Sequence, residues 1–135
     1  MADFKAAYEN LTRPAEGWWA RVEDDPGGDT YGGLTRRDYG YVTEIWEFLD
    51  KQTYIYNKHF PELDPILEKV YLTDIWNKQI FGDQIEDQSL ANMIFDMSVN
   101  KGHTYAIEFA QKAAGIPITG VMDQNVINGL NNPNI

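Results

Sequence analysis

Cysteine is absent from this chain of 135 residues, which excludes disulfide staples, thiolate nucleophiles and cysteine-built metal sites and leaves the redox compartment open. Basic residues are scarce: 11 Lys and Arg stand against 21 Asp and Glu, for a formal net charge of −10. That balance excludes broad binding to nucleic acid or insertion at anionic membranes, since both need basic patches. No apolar run reaches the roughly 18 residues that would span a bilayer. Met1 to Tyr8 hold no basic region followed by an apolar core, so no secretory signal is expected and synthesis in the cytoplasm is. Only two histidines occur, His59 and His103, and neither has the H-E-x-x-H spacing of a zinc peptidase. Asp83, Glu86 and Asp87 crowd a turn but lack the alternating ligands, glycine and closing glutamate of an EF-hand, so they read as a solvated helix start. No metal and no other cofactor is expected. Internal repeats and low-complexity segments are missing too, and the length suits one domain with a sizeable core.

What the chain does have is concentrated in Glu16 to Thr35, EGWWARVEDDPGGDTYGGLT. One glutamate stands beside two tryptophans, and an aspartate and a threonine follow in a Gly-rich stretch. Cleavage of a glycosidic bond needs a carboxylic acid that stays protonated near neutral pH, plus a second polar group that handles water or stabilises the transition state. A glutamate against indole surface is poorly solvated when ionised, which favours the protonated form. Glu16 is therefore the candidate acid. Its bland alternative is a surface helix end beside core tryptophans. Asp25 is the candidate for activating water or stabilising charge, or else a turn residue bonded to nearby amides. Thr30 carries a hydroxyl that donates and accepts, suited to holding the same water or to fastening a turn. Asp24 and Asp29 read as solvated loop charges.

The remaining pattern is mainly helical. Phe4, Ala7, Tyr8 and Leu11 recur at helical spacing and predict a first helix ending before Pro14. From Val22 to Thr35 the Asp, Gly and Pro density predicts turns, with a small hairpin tipped by Pro26-Gly27-Gly28. Tyr41, Ile45, Trp46, Phe48 and Leu49 predict a second helix with Thr43 as its cap. Pro61 and Pro65 precede a helical run through Ile66, Val70, Leu72 and Ile75. Leu90, Ile94, Met97 and Val99 predict the central buried helix, with Ser89 near its start. Thr104 opens a helix through Ala106, Phe109, Ala110 and Ala113 to a stop at Gly115. Asp123 caps a last short helix through Val126 and Leu130.

The segment Glu16-Gly17, Asp24-Asp25-Pro26-Gly27-Gly28, Thr30 and Tyr31-Gly32-Gly33-Leu34-Thr35 resembles, without a gap, the N-terminal signature of glycoside hydrolase family 108, the phage-type N-acetylmuramidases, whose members carry EGGY followed by DPDDPGGETNYGIT. Trp18-Trp19 depart from that pattern, which more often has Gly and then an aromatic. Further on, Asp74-Ile75-Trp76, Gly82 to Ile85 and the run from Leu90 to Gly102 are similar to the family's YW, gd.i and lA..lfD.avN.G blocks. Ala110 to Ile116 and Ile118 to Met122 look like the start of the associated peptidoglycan-binding region, with Thr119 in the place of an Asp. The chain stops at Ile135, earlier than that region's usual end.

The resemblance implies a mainly α, lysozyme-like helical domain with a small Gly-rich turn or hairpin region after the first helix. It implies residues 1–84 as the muramidase catalytic region and 85–135 as the central helix plus a truncated peptidoglycan-binding region, packed as one compact domain. The implied activity is hydrolysis of the β-1,4 bond between N-acetylmuramic acid and N-acetylglucosamine, with Glu16 as general acid and Asp25 and Thr30 as its partners. Trp18, Trp19, Tyr31 and Asn100 are the candidate substrate contacts, although aromatics at 13% of the chain supply core as well as ligand faces. A monomer acting on the peptidoglycan glycan strand after release or delivery is expected, with a pore-forming release partner or an immunity protein as implied associates. The alternative reading is a noncatalytic peptidoglycan-binding or secretion-associated module on the same fold.

Overall fold

The computed structural model describes residues 1–10, 18–21 and 28–132. The chain divides into two compact units, Thr12–Lys69 and Met1–Leu11 with Val70–Ile135. Glu16 and Asp25, together with the expected tip at Pro26-Gly27, lie outside the described residues.

The Thr12–Lys69 unit is organised around a three-stranded antiparallel sheet of very short strands, β1 (Trp19–Ala20), β2 (Thr30–Tyr31) and β3 (Leu34–Thr35), in that spatial order. Trp19 pairs with Tyr31 and Ala20 with Thr30. A tight turn lies at Gly32-Gly33. Those glycines have φ of +56° and +89°, the left-handed pair that a two-residue hairpin needs for its strands to twist correctly, and Tyr31 pairs directly with Leu34 across it. Helix α1 (Phe4–Asn10) precedes the sheet in the chain, and α2 (Arg36–Tyr39) follows it, with the Thr35 hydroxyl accepting from the Asp38 N–H. Helix α3 spans Thr43–Asp50. Its cap position is Val42, without a side-chain bond, and Thr43 is already its first helical residue rather than the expected cap; Tyr41 is exposed ahead of it. A 3₁₀ turn at Pro61–Leu63 leads into α4 (Asp64–Val70). Trp19, Tyr31, Leu34, Ile45, Trp46, Leu49, Phe60, Leu63 and Leu67 are buried here. Phe60 is central, with ring centroids 5.7 Å from Trp19, 5.2 Å from Phe48 and 6.4 Å from Tyr31.

The second unit is helical among its described residues. In α1 the buried positions are Phe4, Ala7 and Tyr8, as their spacing predicts. Tyr71–Asn77 is a π-helical stretch, and the Ile80 N–H donates to Ile75 C=O at 3.1 Å, five residues back. The wider turn shifts the apolar face: Tyr71, Ile75 and Trp76 are buried, whereas Leu72 is only half-buried. Helix α5 (Gln88–Lys101) starts at Asp87, whose carboxylate accepts from the Leu90 N–H at 2.8 Å. It does form the central buried helix, but its buried stripe is Ala91, Ile94, Phe95 and Ser98; Leu90, Met97 and Val99 are half-buried flanks. Phe4, Tyr8, Tyr71, Trp76 and Phe95 form one aromatic cluster, with Phe95 5.9 Å from Phe4 and 5.4 Å from Trp76. Helix α6 (His103–Ala114) ends at Gly115 in the left-handed region, and α7 (Gln124–Leu130) is capped by Asp123, which accepts from the Val126 N–H. Among the described residues, no helix is long and apolar enough to cross a membrane.

Candidate functional site

Thr30 lies on the middle strand, half-buried, opposite Ala20 on one side and Thr35 on the other. The residue before it is held by charge. Asp29, with a side chain only 13% exposed, accepts from Arg21 Nε at 3.1 Å and lies 3.6 Å from Arg36 Nη1, while its carbonyl accepts from the Arg36 N–H. It is a paired bridge rather than a solvated loop charge, because two cationic side chains converge on it. Arg36 in turn grips Asp50 through both guanidinium nitrogens at 2.8 Å. Those bonds push the Asp50 carboxyl below its ordinary value and the Arg36 guanidinium above its own. The chain of alternating charges runs Arg21, Asp29, Arg36, Asp50 and braces the start of β2 against α2 and α3. Nothing in the spacing of these four residues marks them out in the sequence.

The two tryptophans part company. Trp19 is 1% exposed and packs edge-on against Tyr54 at 5.0 Å and against Phe60. Its indole N–H is the one buried side-chain polar atom without a hydrogen-bond partner among the described residues. Tyr31 is 0% exposed, and its hydroxyl accepts from the Phe60 N–H at 2.8 Å and lies 3.3 Å from the Phe60 carbonyl. Two of the four residues expected to contact substrate, Trp19 and Tyr31, are thus core of this unit. The inward side of a two-stranded pair carries Trp19 and Tyr31 opposite each other, and alternation sends their neighbours outward.

Trp18 is half-buried and differently placed. Its indole stacks on the His59 ring with centroids 3.9 Å apart and planes 15° from parallel. His59 Nε2 is 2.8 Å from Asp64 Oδ1. An ionised carboxylate only accepts, so Nε2 carries the proton in that bond. The Trp18 N–H donates to Asn57 Oδ1 at 2.7 Å, its carbonyl accepts from the Gly32 N–H at 2.8 Å, and the Asn57 N–H donates to the Trp19 carbonyl at 2.7 Å. Asn57 and His59 were not nominated by the sequence, where Thr53 to Phe60 carries no motif.

Asn100 belongs to the other unit, exposed in the last turn of α5. A groove of 810 Å³ in that unit is lined by Glu86, Asp87, Leu90, Met93, Ala113 and Leu130 among others, and none of the nominated residues lines it. Asp83 accepts from the buried Trp76 indole N–H at 2.6 Å, and Asp87 caps α5, so two of the three crowded acids are engaged structurally. Among the described residues, no group of three His, Asp or Glu side chains converges in a way that could hold a metal ion.

The fold has a solved counterpart. The structure of Brucella abortus SagA superposes with a TM-score of 0.61 at 22% sequence identity, covering 93% of this chain and 66% of that one. The chain therefore spans just under two thirds of that protein's length, and the likeness establishes the lysozyme-like helical fold. No curated protein matches the chain. The glycosyl hydrolase 108 family model matches residues 10–102, which includes the whole segment from Glu16 to Thr35 and extends through α5. That is more than half of the sequence, and the chain belongs to the glycosyl hydrolase 108 family.

Proposed function

We propose that this protein is a peptidoglycan hydrolase of the N-acetylmuramidase type, cleaving the β-1,4 bond between N-acetylmuramic acid and N-acetylglucosamine. The observation that carries the reading is the family match across residues 10–102; it is supported by the resemblance of the segment holding Glu16, Asp25 and Thr30 to the family's EG, DDPGG and T motifs. In this reading Glu16 donates its proton to the glycosidic oxygen as the bond to the anomeric carbon breaks. Positive charge then develops on the sugar ring, and Asp25 with Thr30 stabilises it or holds the water that attacks the anomeric carbon. If water attacks directly, the two carboxyl groups stand roughly 6.5–9.5 Å apart and configuration inverts; a separation of roughly 5–5.5 Å leads through a covalent glycosyl-enzyme. Supporting this role, Thr30 sits half-buried on a strand braced by paired charges. Residues 85–135 extend the catalytic region with a helical segment that contacts the same polymer.

The test is digestion of purified sacculi by wild type and Glu16→Gln, with mass spectrometry of released fragments and circular dichroism on both proteins. Fragments ending in reducing N-acetylmuramic acid from the wild type alone are expected. Comparable release by a folded Glu16→Gln protein sinks the assignment of the acid. Absence of fragments from both, with both sedimenting with the sacculi, replaces the enzyme by a binding module.

A further inference from the structure

We propose that Asn57 and His59 are positioning residues for the glycosidase reaction, acting through Trp18. The inference rests on the muramidase reading for its chemistry and on the Thr12–Lys69 unit for its geometry. Trp18 is held by its backbone and by its ring. Its N–H is bound by the Asn57 side-chain carbonyl, its C=O by the Gly32 N–H, and its indole face by the His59 ring. Asn57 reaches both sides of the peptide between Trp18 and Trp19, accepting from Trp18 N–H with Oδ1 and donating its own N–H to Trp19 C=O. It does so from φ of +62°, a left-handed conformation that asparagine tolerates better than most residues. His59 is fixed in turn by Asp64 at 2.8 Å, and the turn of chain between them enters the 3₁₀ segment at Pro61.

This is more attachment than a half-exposed surface residue needs for folding. The unit's apolar core, with Trp19, Tyr31 and Phe60 at its centre, is complete without the exposed Asn57 and His59 side chains. What the clamp does fix is the entry of the chain into β1, two residues beyond Glu16 in sequence, and the plane of the one indole in the motif that is not buried in the core. A reacting carboxyl displaced by about an ångström can lose about a hundredfold in rate, so a clamp on Trp18, which follows the acid by two residues in sequence, affects turnover more than stability.

The test compares wild type with Asn57→Gly, His59→Ala and His59→Phe. Asn57→Gly keeps the left-handed backbone and removes only the side-chain acceptor. His59→Phe keeps a flat ring against Trp18 and removes the bond to Asp64. Two quantities are read on each: kcat and KM for release of reducing ends from sacculi, and amide hydrogen exchange across residues 16–20. Asn57→Gly and His59→Ala are expected to lower kcat by about tenfold or more, with little change in KM, to speed exchange at residues 16–20, and to leave exchange in Thr43–Asp50 unchanged. His59→Phe is expected to recover most of the loss. Unchanged kcat and unchanged exchange in both variants overturn the proposal, as does a uniform rise in exchange across the unit, which would mark a purely structural role. If the wild type releases no reducing ends, the muramidase reading fails by itself, and unchanged exchange at residues 16–20 then still overturns the clamp.

Discussion

Two residues show how closely packing constrains this chain. Gly82 opens a 3₁₀ turn directly under the indole of Trp76, and a Cβ built there would overlap the ring. The ring cannot retreat, because it is 0% exposed, tied to Asp83 and packed on Phe95. Phe81, immediately before, already sits at φ of +49°, an unfavourable conformation for a bulky side chain. Gly82→Ala is therefore expected to destabilise by about 1–3 kcal/mol, the usual cost of overpacking, read as a lower urea midpoint at unchanged slope. A midpoint within error of wild type would mean that the turn relaxes freely. Gln111 shows the opposite solution, a buried polar group fully used. It is 1% exposed, its Oε1 accepts from the Thr119 and Gly120 N–H groups, and its Nε2 donates to Thr119 Oγ1 and the Val121 carbonyl. Thr119 thus serves this hub both as a hydroxyl acceptor and as a backbone donor.

At the scale of elements, capping explains which helices could be read from sequence. Asp87 and Asp123 each accept from the N–H three residues on, and Gly115 ends α6 with φ of +71°; all are local devices written in adjacent residues. Removing one should cost what a cap is worth. Asp87→Ala is expected to lower stability by about 1 kcal/mol, and because α5 carries the central aromatic contact Phe95 the loss should be global, seen as a falling thermal midpoint with a single transition. A fraying confined to the first turn, with an unchanged midpoint, would show that tertiary packing alone holds the helix start. The elements that sequence did not disclose depend on non-local partners. The π-helical turn buries Tyr71, Ile75 and Trp76 on one face, and no local capping residue marks such a widened turn in advance. The tight Gly32-Gly33 turn is one of several Gly-bearing stretches in its segment, and only the pairing of Tyr31 with Leu34 singles it out. For the same reason Asn57, His59 and the Arg21 to Asp50 charge chain, whose partners are not adjacent in sequence, left no signature.

The charge of the whole molecule sets its behaviour on its proposed substrate. At −10 it approaches a polymer that itself carries anionic groups, so long-range electrostatics oppose the encounter instead of steering it. Affinity must then come from short-range contacts, which salt hardly weakens. At 0.1 M ionic strength the Debye length is about 10 Å, and exposed charges further apart than that are largely screened. Raising salt from about 10 to 150 mM is therefore expected to increase kcat/KM on intact sacculi several-fold, through a lower KM, while leaving kcat unchanged. An uncharged soluble chitooligosaccharide serves as the control, since it meets no repulsion and its turnover should not respond to salt. A KM on sacculi that rises with salt would instead place a cationic, substrate-facing patch on the molecule, and the exposed residues to search for it, among those described, include Arg21, Arg37, Lys51 and Lys58, which share the unit of the candidate site.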